Sequence, residues 1–171
     1  GVSVGGAGQR AGITGYNIRG IDGDRMLTQI DGVQVPDGFF NGPYAQTNRN
    51  YVDPEIVKRV EILRGPASVL YGSNAIGGAV SYYTLDPDDI IKPGKDVGAR
   101  LKTGYNSADD SRLTSGTVAG RTDEFDGLLH LSQRNGHETE SFGETGGTGL
   151  NRTAANPEDA RTTNVLAKLG W

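Results

Sequence analysis

The stretch VEILRGPASVLYGSNAIGGAVSYYT, residues 60–84, decides the fold. Arg64-Gly65-Pro66, Tyr71-Gly72-Ser73 and Gly77-Gly78 are turn-forming or backbone-permissive pieces set between apolar runs that read as buried strands. Pro66 after Gly65 suits the opening of a short helix closed by Leu70 and Tyr71, with Gly72 available as a left-handed cap. Residues 77–85 then read as a strand whose two glycines permit a bulge or a close backbone approach. The stretch parses as strand, tight turn, short helix, turn, strand, and nothing in it looks catalytic.

Upstream, residues 13–21 (ITGYNIRGI) and 25–35 (RMLTQIDGVQV) mix β-branched and polar residues and read as two strands, with the Gly-containing DGDR as the turn between them. Asp53 is a candidate N-cap and Pro54 a first helical residue, so a short helix is expected to give way to a strand near residues 60–63. Residues 1–92 are therefore expected to form an α+β domain.

From about residue 96 the pattern becomes plain alternation. In VGARLKTGY, Val97, Ala99, Leu101, Thr103 and Tyr105 share a face opposite Arg100 and Lys102; in FDGLLHLSQR, Phe125, Leu129 and Leu131 oppose His130 and Arg134; in TTNVLAKLGW, Val165, Ala167, Leu169 and Trp171 oppose Lys168. RLTSGTVAG alternates weakly. Runs of this length match the roughly 9–11 residues of a tilted strand crossing a bilayer. A soluble sandwich alternates too, but the connections discriminate: they are short except for the one beginning NGHETES, and membrane barrels have short periplasmic turns and long outer loops. That orientation puts Phe125 and Trp171 at the periplasmic rim and Tyr105 at the outer one, all outward, where aromatic girdles sit. Residues 93–171 are thus expected to supply four strands of an all-β antiparallel transmembrane barrel.

Composition narrows the classes. Only 35% of the 171 residues are hydrophobic and 27 are glycine, so a large single core is not expected. With 17 basic and 21 acidic residues and no basic stripe, nucleic acid is not a partner. Cysteine is absent, which removes disulfides, thiolate metal sites and Cys nucleophiles together. No apolar run approaches the roughly 20 residues of a membrane helix, and no signal-peptide order opens the chain. Beginning at Gly1 and stopping at Trp171 inside a strand-like run, the sequence reads as a fragment.

Other motifs carry little chemistry. GGAGQRAG, residues 5–12, lacks the preceding strand and following helix of a dinucleotide loop and reads as a turn. Asp22-Gly23-Asp24 lacks the downstream Glu of a calcium loop. His130 and His137 are the only histidines, leaving no set for Ser-His-Asp or zinc hydrolysis, so no enzyme is read here. His130 is expected mid-strand, facing the lumen; His137, at the base of the long loop, either touches ligand or is simply solvated.

The residues also carry a family resemblance. DPEIVKRVEILRGPASVLYGSNAIGGAVSYYT closely resembles the end of the plug domain of TonB-dependent outer-membrane receptors, and YNIRGIDGDRMLTQIDGVQV resembles the strand-turn-strand earlier in that plug. The match covers most of residues 12–84. It implies a plug inside a barrel of about 22 strands in the bacterial outer membrane, surrounded by outer-membrane lipid, with import driven by a TonB-type inner-membrane partner. In this family the arginines of the IRG and LRGP motifs pair with barrel glutamates as a plug–barrel lock; here they are Arg19 and Arg64. The plainer reading leaves each on a hydrated plug surface.

The continuation LDPDDIIKPGKDVGARL looks most like the haem and haemoglobin receptor subgroup, which implies haem, taken from a haemoprotein, as a transported ligand and no permanent cofactor. That subgroup places an axial iron ligand, commonly a histidine, on the plug's outer loops. Here the plug has no histidine; the corresponding loop, residues 36–51, offers Tyr44 as haem-iron ligand, with Tyr51, Phe39 and Phe40 beside it as ligand contacts. The plainer reading makes these aromatics a hydrophobic floor. A ferric siderophore is the alternative cargo, and a soluble β-rich binding or adhesin module is the rival from another class.

Overall fold

The computed structural model describes residues 1–6, 13–21, 25–36, 39–41, 45–47, 52–66, 75–139 and 143–171. The chain divides into two compact units, Gly1–Leu85 and Asp86–Trp171.

In the first unit, β1 (Val2–Gly6) and β2 (Ile13–Ile18) form an antiparallel pair, and β5 (Phe39–Asn41) and β6 (Ala45–Thr47) form another. The main sheet has four strands in the order β4 (Val33–Gln34), β3 (Met26–Ile30), β8 (Gly78–Thr84) and β7 (Val57–Arg64). Only the β3–β8 pair is parallel. Its core is small: Tyr16, Ile18, Met26, Val80 and Tyr82 are buried together, flanked by Ile21, Ile30, Val52 and Val57, and the Tyr16 and Tyr82 hydroxyls hydrogen-bond each other.

Several expectations are corrected here. Among the described residues there is no α-helix: the Asp53-capped segment is a single 3-10 turn, Pro54–Ile56, and β7 starts at Val57. Asp53 does cap it, accepting from the Glu55 amide at 3.0 Å, but β-branched Val57, Val60 and Ile62 favour the extended chain that follows. Residues 25–35 are not one strand. Asp31 (φ 48°) and Gly32 (φ 83°) make a two-residue hairpin turn of the kind Asp-Gly favours, folding β4 back on β3. β2 ends at Ile18, where Arg19 and Gly20 make a second left-handed turn closed by bonds between Ile18 and Ile21. The connection 36–51 holds the β5–β6 hairpin rather than loop alone. The short helix expected after Pro66, most of GGAGQRAG, and Asp22–Asp24 lie outside the described residues.

The glycines of the opening stretch serve a close approach. A Cβ on Gly78 would overlap the Leu63 carbonyl oxygen, and at φ 148° the position suits no other residue.

The second unit is an antiparallel sheet in the order β12 (Asp159–Gly170), β11 (Asp126–His137), β10 (Ser111–Arg121) and β9 (Val97–Asn106). All four strands lie where the alternation placed them. Among the described residues no helix is long and apolar enough to cross a membrane, a test that does not bear on strands.

Candidate functional site

Directly paired residues of an antiparallel sheet share a face, so the register sorts the side chains of β9–β12. On one face Val97, Gly120, Gly127 and Leu169 form a row; Ala99, Val118, Leu129 and Ala167 form the next; Leu101, Gly116, Leu131 and Val165 form the third. No charge interrupts these rows, and they are open: Leu101 is 78% exposed and Leu169 88%. Polar rows follow, Thr103, Thr114, Gln133 and Thr163, then Tyr105, Arg112, Asn135 and Arg161. Exposed aromatics bound the band, Phe125 and Trp171 at the end carrying the 122–125 turn and Tyr105 at the other. A contiguous apolar band of this size on a soluble surface is a liability; against lipid it is the stable arrangement.

The opposite face is mixed, with buried Leu113, Ala119 and Leu128 flanking polar rows. Arg100, Thr117, His130 and Leu166 make one row, and Lys102, Ser115, Ser132 and Asn164 the next. Ser115, Thr117, His130 and Ser132 are buried. Thr117 Oγ1 and His130 Nδ1 share a hydrogen bond at 2.7 Å, and Asn164 donates to Ser132 Oγ at 3.5 Å. Alternation had placed His130 on this side; its partner is set by cross-strand register.

The two candidate lock residues sit at backbone reversals. Arg19 occupies the left-handed turn after β2, and Arg64 ends β7 immediately before Gly65 (φ 122°). Both are exposed, and among the described residues neither guanidinium has a hydrogen-bond or ion-pair partner. His137 belongs to the other unit. Phe39 and Phe40 are β5 positions paired with Thr47 and Gln46, while Tyr44 and Tyr51 lie outside the described residues.

His137 closes β11 beside the long connection. Its amide donates to the Asp109 carbonyl at 2.9 Å, and its exposed ring Nδ1 is 4.0 Å from Asp159 Oδ1. The next residue ties the loop's ends: Glu138 accepts from the Glu158 amide at 2.9 Å. That N–H, then its own amide, hold the Glu138 carboxyl below its ordinary range, with smaller help from His137 and Arg152. Arg152, which sequence reasoning missed, donates to the carbonyls of Gly147 (2.8 Å), Ala154 (3.1 Å) and Ala155 (2.6 Å). Thr145 and Thr153 cross-link the same loop. No local signal marks Arg152, because its acceptors are carbonyls that converge only when the loop closes.

Residues 1–79 match the TonB-dependent receptor plug domain family. A hemin receptor of Yersinia pestis is 36% identical over 176 residues, covering 100% of this chain and 23% of the relative. A probable hemoglobin and hemoglobin-haptoglobin-binding protein of Haemophilus influenzae is 37% identical over 184 residues, covering 100% of this chain and 18% of that one. Among solved structures, the FrpB iron transporter of Neisseria meningitidis in its apoprotein form superposes with a TM-score of 0.76 at 27% identity, over 97% of this chain and 24% of that one. The chain thus spans about a quarter or less of the length of these proteins. Its similarity runs through both units, and with an outward apolar band on a sheet that follows a plug sequence, the chain belongs to the TonB-dependent receptors of the bacterial outer membrane.

Proposed function

We propose that this chain is the plug and opening wall of a receptor that takes up haem, drawn from a haemoprotein, with energy supplied by a TonB-type partner. The observation carrying the reading is the 36% identity to a hemin receptor across all of the chain, strands β9–β12 included. In this reading residues 1–92 are the plug, with 86–92 lying in the second compact unit, and 93–171 are the first four strands of a barrel of about 22. The 122–125 turn faces the periplasm, and the 107–110 turn and 138–158 loop face outward. Lipid covers the apolar band. Transport consumes binding energy at the outer loops and a release of the plug, with no bond made or broken in the cargo.

Arg19 and Arg64 form the lock in this proposal: exposed guanidiniums at tight turns are ready partners for carboxylates of the remaining wall. Phe39, Phe40, Tyr44, Tyr51 and His137 are the proposed cargo contacts, with the Tyr44 phenolate on the haem iron. The test is a haem titration of the purified full-length receptor followed in the Soret region. Saturable binding is expected, and Tyr44→Phe should shift the spectrum and weaken binding while the fold stays intact, since only the phenolic oxygen is removed. An unchanged spectrum returns Tyr44 to packing. Absence of haem binding by the wild type moves the cargo to a ferric siderophore, the second reading, which the likeness to an iron transporter favours.

A further inference from the structure

The chain passes from the first unit to the second at the Leu85–Asp86 peptide, and each side of that peptide is tied down within its own unit. On the first-unit side, the Asp31 carboxylate accepts from both the amide and the hydroxyl of buried Thr84, and the Leu85 amide donates to the Ile56 carbonyl at 2.8 Å. On the other side, Asp86 opens a 3-10 turn, Pro87–Asp89. The turn is self-braced: the Asp86 amide donates to Asp89 Oδ2 at 2.7 Å, and the amides of Ile90 and Ile91 return to the Pro87 carbonyl at 3.0 and 2.9 Å.

This turn is then gripped by the sheet. Lys168, on the polar face of β12, donates to Asp86 Oδ1 at 2.8 Å. Arg121, the last residue of β10, donates to Asp88 and stands 4.0 Å from Asp126 at the start of β11. The Arg121 amide donates to the Asp96 carbonyl at 2.8 Å, so the same residue holds both ends of the 86–96 segment. Pro87, Ile90 and Ile91 are buried. The chain passes so close to β9 that a Cβ on Gly98 would overlap the Ile90 carbonyl oxygen.

We propose that Asp86 and Asp88, held by Lys168 and Arg121, form a charge clasp that seats the segment 86–96 on the sheet of the second unit. Burial of Ile90 and Ile91 supplies most of the hold; the ion pairs select the seat. With side chains a quarter or more exposed, each pair contributes only a few-fold. Placed at the junction, they decide whether the segment stays on the wall while the plug rearranges. The device is indifferent to cargo, so it stands or falls separately from the haem reading.

The test is amide exchange of residues 86–92 in the full-length receptor in lipid. Arg121→Glu with Lys168→Glu should speed exchange there about tenfold, with β10 amides unaffected. Adding Asp88→Arg and Asp86→Lys should restore protection to within about twofold, because reversed pairs recreate the attraction. If the wall variants fail to assemble, Asp86→Asn with Asp88→Asn removes the same pairs from the turn side and should speed exchange about fivefold. Unchanged exchange in either loss-of-charge variant, or no recovery on charge reversal, overturns the clasp.

Discussion

Replacing Leu129 by Arg tests the wall reading at its most exposed assumption. Leu129 lies between Val118 and Ala167 in the second apolar row. It is four residues along from Phe125, the rim aromatic. At about 3.3 Å per residue and a strand tilt of about 40°, that places it roughly 10 Å inside the rim, close to the middle of an apolar band about 25 Å tall. An arginine there loses its hydration with no carboxylate in the apolar rows to pair it, and the cost in outer-membrane barrels is about 2–4 kcal/mol. The folding equilibrium should fall by about 30- to 700-fold. Gln133→Arg, on the same strand and face but in the polar row two pairs further out, should cost about 0–1 kcal/mol. The assay is reversible folding of the full-length receptor into vesicles against denaturant, comparing midpoints at constant slope. Equal costs at the two positions would refute the assignment of this face to lipid.

Asp31→Ala should destabilise the plug sheet by about 1–3 kcal/mol, since it orphans two donors on buried Thr84 and puts Ala at φ 48°; loss of exchange protection in β8 is the readout, and Asp31→Asn should retain more of it. The Glu138 carboxyl is depressed in the folded loop, so its contribution is present above the ordinary carboxylate range and disappears as pH falls through the lower folded value. Exchange across residues 143–158 should therefore rise on acidification, and a Glu138→Gln receptor showing the same pH profile would remove Glu138 as the cause. Arg64→Ala should leave the receptor in the membrane but speed exchange in β7, because a wall carboxylate loses its partner; unchanged exchange and unchanged uptake together would end the lock assignment.

The wall strands were legible because their signal is local. A period of two survives without knowing any neighbour, and Phe125, Tyr105 and Trp171 mark where each run stops. The plug was harder. Its strands are short, and residues 25–35 read through as one strand although Asp31-Gly32 is a strong hairpin signal. The Asp53 cap was legible but the length of what it caps was not, since a single 3-10 turn and the first turn of a helix open with the same residues. Arg19 and Arg64 came from a motif resemblance. Thr117, Arg152 and the 86–88 clasp could not be found that way, because each depends on register or loop closure that joins residues far apart, up to 82 positions for Asp86 and Lys168.

The same register accounts for where the hydrophobic residues of the second unit go. In a soluble sheet the apolar face is turned inward and the polar face to water, and a second layer doubles the apolar demand. Here the demand is single and inverted. Val97, Leu101, Val118, Leu129, Leu131, Val165 and Leu169 are spent on the exposed face, while the buried positions of the other face are shared between Leu113, Ala119 and Leu128 and the polar Ser115, Thr117, His130 and Ser132. Buried polar groups are stable only when paired, and this face supplies its own pairs: Thr117 to His130, Asn164 to Ser132, Lys168 to Asp86. Gly98 and Gly104 on that face keep side-chain bulk away from the segment and strand they adjoin.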